Sequence, residues 1–144
     1  LWVMTQFNHV AEWCSSAARG CAELISNGVP VMNQTVLLEG INDDPHSLEE
    51  LFSELVANRI KPYYLFHGDP VLGTAHFRTG VRKGVELMRC LRGRVSGLAM
   101  PRFAVDLPGR GGKVVLEPDY SCGLSENGDR MYLGLDGREI PYPD

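Results

Sequence analysis

No apolar run in this 144-residue chain approaches the roughly 20 residues that a membrane helix needs, so a spanning helix is excluded. The opening Leu1-Trp2-Val3-Met4-Thr5-Gln6 lacks the basic stretch followed by an apolar one that marks an export signal, and the sequence therefore points to the cytoplasm. Lysine and arginine are scattered and form no block. With 14 basic against 18 acidic residues the formal charge is −4 and the pI is near 5.5. Such a chain has no electrostatic footprint for phosphate backbone, and nucleic acid is not an expected partner. Cysteine is sparse. Cys14, Cys21, Cys90 and Cys122 include no Cys-x-x-Cys, so neither a zinc knuckle nor a disulfide framework is written, and reduced, mostly buried thiols are expected. There is no internal repeat and no low-complexity segment.

What is present is an ordinary globular composition, 44% hydrophobic and 22% charged, of a length that suits one domain or a piece of a larger one. The first residue is Leu1 rather than Met, and an excised or truncated piece is one reading this allows. Residues 2–7 read as a short buried strand. Ala18, Cys21, Ala22 and Ile25 then share one helical face, which Asn27-Gly28 terminates. Residues 31–38 have the β-branched and apolar mixture of a second strand. Ser47-x-x-Glu50 matches a capping box, followed by the amphipathic stripe Leu48, Leu51, Phe52, Leu55 and Val56.

Residues 62–66 form a third strand with Pro62 at its start. Val81, Val85, Met88 and Leu91 make a third helix ended by Gly93, and residues 98–105 a fourth strand. Strand and helix alternate, which predicts parallel β/α units in an α/β fold. Beyond a glycine-rich loop the pattern changes to short β pieces, with residues 131–135 and 138–142 forming a hairpin around Asp136-Gly137.

Parallel β/α units place ligands at the carboxyl ends of their strands. The candidates are therefore Asn8, His9, Asn33, Gln34, His67, Asp69, Asp106 and Lys113. Two carboxylates and one lysine would suit an amine bound by Asp69 and Asp106 and a carbonyl or phosphate bound by Lys113. By residue type alone the bland alternatives stand beside this. Gly109 to Gly112 lacks the pattern of a phosphate loop and reads as a flexible turn, Lys113 as a surface lysine, Asp69 and Asp106 as turn initiators, and His9 as a local hydrogen bonder.

Longer strings carry a resemblance. Thr5-Gln6-Phe7-Asn8-His9, the run from Val29-Pro30-Val31 through Gly40-Ile41-Asn42-Asp43, Lys61-Pro62-Tyr63-Tyr64-Leu65, His76-Phe77-Arg78-Thr79, Lys83-Gly84 and Ser96-Gly97 resemble, in order, the lysine 2,3-aminomutase family of radical S-adenosylmethionine enzymes. Most specific is Val105-Asp106-Leu107-Pro108-Gly109-Arg110-Gly111-Gly112-Lys113, followed by Pro118-Asp119-Tyr120. The resemblance implies a partial (β/α) barrel of parallel β/α units with a carboxyl-terminal β-hairpin extension. Residues 1–106 would be barrel units and residues 107–144 the glycine-rich lysine loop with a short β extension.

It further implies that Lys113 holds pyridoxal phosphate covalently, that Asp69 and Asp106 clamp the far ammonium of a lysine substrate, and that Gln34 contacts S-adenosylmethionine. Two anions for one cation favour lysine over glutamate. Arg110 stands where the family commonly has glycine, Gln6 where it usually has histidine, and Asp44 where zinc-binding members have cysteine, so no metal is expected here. The Cys-x-x-x-Cys-x-x-Cys triplet for a [4Fe–4S] cluster is not in the sequence. The chain is accordingly similar to the carboxyl-terminal half of such an enzyme, with the cluster and S-adenosylmethionine belonging to the full-length parent, and it is expected to be inactive alone.

The complete reaction would move the amino group of lysine from C2 to C3. The alternatives are a non-catalytic remnant that binds or oligomerises, and the branch that makes β-lysine for attachment to an elongation factor. The expected partners are a small amino acid, and either further copies of the chain or a missing amino-terminal half.

Overall fold

The computed structural model describes residues 1–143. The chain forms β1 (Val3–Thr5), α1 (Ser15–Ser26), β2 (Val31–Leu37), α2 (Pro45–Ala57), β3 (Lys61–His67), α3 (Val81–Leu91), β4 (Arg102–Leu107) and β5 (Gly112–Val115). Three short antiparallel strands follow, β6 (Ser121–Leu124), β7 (Arg130–Leu133) and β8 (Glu139–Tyr142), in a sheet of their own. The first sheet has the order β1-β2-β3-β4-β5. Its first four strands are parallel, and β5 returns antiparallel along β4. The alternation of strand and helix along the sequence thus does build a parallel sheet.

Period-two burial explains how that sheet faces its helices. Along β2, alternate residues from Val31 to Leu37 are buried, and with Leu65 and Phe103 they pack against Cys21 of α1, Leu48, Leu51, Phe52 and Leu55 of α2, and Leu87, Met88 and Leu91 of α3. One core therefore lies on one face of the sheet. α3 approaches β4 so closely at Gly84 that a Cβ there would meet Phe103 Cζ at 2.1 Å. The opposite face carries Gln34, Val36, Tyr64, Phe66, Asp106 and Lys113, which are partly or largely exposed.

Several expectations are corrected. The first strand is shorter than residues 2–7 and not buried: Trp2 is 63% and Met4 41% exposed, because β1 is the edge of the sheet. α2 is capped not by a Ser47 box but by Asp44, whose Oδ1 accepts from the N–H groups of His46 and Ser47 while its Oδ2 accepts the Ser47 hydroxyl. The third helix, by contrast, runs from Val81 to Leu91 as its apolar spacing predicts, with Arg92 as its C-cap and Gly93 just beyond.

The fourth strand starts at Arg102, after Pro101, and runs on through Asp106 and Leu107 because β5 supplies the returning ladder. The second sheet gains β6, which the sequence did not announce. Pro62 does stand near the start of β3, although that strand is central. Asn33 pairs with Pro62 and Gln34 with Tyr64, so the register slips by one residue where the N–H is missing. All four cysteines are free, and only Cys21 is buried, against the expectation of mostly buried thiols.

Candidate functional site

The open face of the sheet is ordered by register. Gln34, Tyr64 and Arg102 form one row across β2, β3 and β4. Val36, Phe66, Ala104 and Val115 form the next, and Asp106 opposite Lys113 the third. This last row lies at the carboxyl end of the parallel strands, where side chains from several strands converge. Lys113 Nζ sits 3.8 Å from Asp106 Oδ1. It also stands over two ring faces, 4.1 Å from the centroid of Phe66 and 4.9 Å from that of Tyr64. Those rings are 5.0 Å apart, and Tyr63 packs its edge against Tyr64 at 4.4 Å. A hydrogen bond with Tyr63, together with desolvation, holds the Tyr64 phenol above its ordinary value.

The hairpin from Asp106 to Lys113 depends on unusual backbone. Gly109, Arg110 and Gly112 have φ of 64°, 70° and 75°. Left-handed backbone is routine for glycine and strained for arginine, so Arg110 occupies a position shaped for the smaller residue. A Cβ at Gly111 would come within 2.6 Å of Leu107 Cβ, so this turn needs its glycines.

The structure brings Lys113 and Asp106 together but does not pair either with Asp69. Asp69 is exposed in the loop after β3 and lines a cavity of about 160 Å³ with Val36, Thr74 and Arg78. Val36, which lines the same cavity, shares a row with Phe66 on the open face. Arg78 Nε fastens this loop by donating to the carbonyl of Gly68 at 3.0 Å. Gln34 is partly exposed on that face beside Tyr64, two rows from Lys113.

Other candidates are structural. Asn33 Oδ1 accepts from the Thr5 hydroxyl and the Phe7 N–H, and its Nδ2 donates to the Phe7 carbonyl and the Thr35 hydroxyl. Asn8 Oδ1 accepts from the Val36 N–H at 2.8 Å. His9 caps the turn at Val10–Glu12, and the His67 ring bonds the carbonyl of Thr79 at 2.9 Å. The residues that reading by type missed are Tyr64 and Phe66. Their signal was the alternation Tyr64-Leu65-Phe66, which puts two aromatics on the face opposite the core.

The residues fit an aldehyde cofactor at one end: Lys113 offers an amine on an open face, beside flat aromatic walls that suit a planar ring. They do not fit an iron–sulfur cluster. Cys21 is buried and the other three thiols are exposed at scattered positions, and among the described residues no three His, Cys, Asp or Glu side chains gather around a point.

A family model described as lysine-2,3-aminomutase matches residues 88–134. The L-lysine 2,3-aminomutase of Fusobacterium nucleatum is 47% identical over 92% of this chain, and that of Clostridium subterminale 44% identical over 92%. The glutamate 2,3-aminomutase of Clostridioides difficile is 44% identical over the whole chain. In each case the match covers 31%, 32% and 34% of the relative respectively. The chain thus spans about a third of the length of the curated relatives it matches.

Proposed function

The chain belongs to the lysine 2,3-aminomutase family, and from that premise we propose that it is the carboxyl-terminal part of an enzyme that moves the amino group of lysine from C2 to C3. In this reading its parallel sheet is a segment of a partial (β/α) barrel. The observation that carries the proposal is the placement of Lys113 directly across the strand pair from Asp106, at the carboxyl end of the parallel sheet.

Each residue then has a task set by its chemistry. Lys113 is the amine that binds pyridoxal phosphate, and the glycines before it let the side chain swing aside when substrate enters. When bound, that cofactor supplies an electrophilic carbon and a conjugated ring able to carry nitrogen between neighbouring carbons. Asp106, with Asp69 from the adjacent loop, holds the distant ammonium of the substrate and so fixes which carbon faces the reacting centre. Gln34 orients S-adenosylmethionine from β2.

The presence of a glutamate-acting relative makes substrate choice the point to decide. Two carboxylates attract a second ammonium and repel a second carboxylate, so Asp69 and Asp106 favour lysine. In an enzyme of full family length, Asp106→Ala is expected to lose about 3–5 kcal/mol of lysine turnover or selectivity, as for a charge left unpaired in a closed site. Steady-state rates with lysine and glutamate read this directly. Unchanged lysine turnover would refute the assignment of Asp106.

A further inference from the structure

We propose that the cleft between α3 and the smaller sheet binds an organic monocarboxylate with an apolar body, and that Arg89 is its charge partner. The cleft has a volume of about 670 Å³, in the range of small-molecule sites, and its apolar walls are Val85 of α3, the Tyr120 ring, Leu133 at the end of β7 and Leu135 just after it. It is separate from the face that carries Lys113. α3 turns Gly84, Leu87, Met88 and Leu91 toward the larger sheet, and the cleft opens along the flank that holds Val85 and Arg89.

The charges around the cleft leave one cation over. Arg82 Nε lies 3.8 Å from Glu86 Oε1, and Arg94 directs Nε and Nη2 to Glu49 Oε2 at 2.7 and 2.6 Å. Arg89 donates from Nη2 to the Asp119 carbonyl at 2.7 Å and lies over the Tyr120 ring, and among the described residues no carboxylate pairs with it. Its other N–H groups are those that a carboxylate takes up in a forked pair. One uncompensated guanidinium matches one carboxylate and undercompensates a doubly charged phosphate.

A second feature also asks for a polar partner. The hydroxyl of Tyr120 is buried and has no hydrogen-bond partner among the described residues, a costly state that an acceptor from outside the chain would relieve. The remaining walls are aliphatic, which fixes the other half of the ligand: its body is apolar. A molecule held this way touches α3 and the smaller sheet at once, adding to the Arg89 and Arg92 contacts that join them. Its binding therefore stabilises the folded chain.

The test is a titration of the isotope-labelled chain with sodium cinnamate followed by NMR, with cinnamyl alcohol as the uncharged analogue and sodium chloride as the ionic-strength control. The amides of Val85, Arg89, Leu133 and Leu135 are expected to shift saturably, with cinnamate bound at least about tenfold more tightly than the alcohol. Arg89→Met is expected to remove that advantage.

Because Arg89 also holds Asp119, a second variant leaves that bond in place. Gly93 lines the cleft, and a Cβ there meets no atom within 4 Å, so the side chain in Gly93→Leu has room to occupy the cleft and is expected to abolish binding of both compounds. The absence of a saturable shift in the unmodified chain, shifts that map to another surface, equal affinity for acid and alcohol, or cinnamate binding unchanged in either variant would overturn the proposal. None of these readouts involves pyridoxal phosphate or turnover, so the result stands apart from the aminomutase reading.

Discussion

Asn33 shows how one buried amide can do the work of a short strand. It is fully buried and makes four hydrogen bonds, to Thr5, to both backbone groups of Phe7, and to Thr35. These bonds fasten the segment after β1, which has only three residues of ladder, onto β2. Asn42 does likewise, accepting from the Leu38 N–H and donating to the carbonyls of Asn8 and Val36. Removing such a group leaves buried donors and acceptors without partners. Asn33→Ala is expected to lower unfolding free energy by about 2–3 kcal/mol, which a urea titration would measure. At this scale the sequence was only partly legible. Asn33 stood out as a polar residue within an apolar strand, but its residue type does not say whether its partners lie in a ligand or in the backbone of Phe7. Lys113 was singled out by the long motif around it, whereas the placement of Tyr64 and Phe66 under its ammonium follows only from the return of β5 beside β4.

Helix α2 buries the face that its sequence spacing marks out. Its apolar stripe was evident from spacing, and Leu48, Leu51, Phe52 and Leu55 are all buried as that spacing requires. Its cap was not, because Asp44 and Ser47 both precede apolar residues and both have capping side chains. Geometry decides for Asp44. Pro45 occupies the first turn, where its missing N–H does no harm, and the Asp44 carboxylate satisfies the next two donors.

The Ser47 hydroxyl and the Ser47 and His46 N–H groups hold the Asp44 carboxyl below its ordinary value of 3.8. A carboxyl whose value is lower when folded contributes stability above its unfolded value and loses it as pH falls through the folded one. Asp44→Ala is therefore expected to cost about 1 kcal/mol near neutral pH. The deficit should shrink below about pH 4 as the carboxyl in the unmodified chain protonates. Thermal melts of both proteins between acid and neutral pH would show the gap closing. A gap that stays constant through acid pH would contradict the cap.

At the scale of the whole molecule, the helices cover one face of the larger sheet and the smaller sheet is fastened elsewhere, to α3. Arg89 and Arg92 lie over the Tyr120 ring at 5.4 and 5.9 Å, Arg89 donates to the Asp119 carbonyl, and Arg92 pairs with Glu117. The larger sheet keeps its edge strand β1, and Trp2, Met4, Val114 and Val115 remain exposed. Unpaired strand edges and apolar surface invite association. Light scattering is expected to give a mass above the 15.9 kDa of one chain. A single species of that mass would argue that these surfaces are adequately solvated. The parallel sheet itself was legible in the alternation of elements. The antiparallel return of β5 and the strand β6 were not, because short polar strands have no periodicity of their own and form where a neighbouring edge receives them.

Covalent trapping distinguishes a cofactor lysine at position 113 from a surface one. The purified chain is mixed with pyridoxal phosphate, reduced with borohydride, and digested for peptide mass spectrometry. With only Lys61, Lys83 and Lys113 to compare, modification is expected to concentrate at Lys113, whose nitrogen is not tied into short hydrogen bonds. Equal modification of all three lysines, or preference for Lys61 or Lys83, would contradict the account.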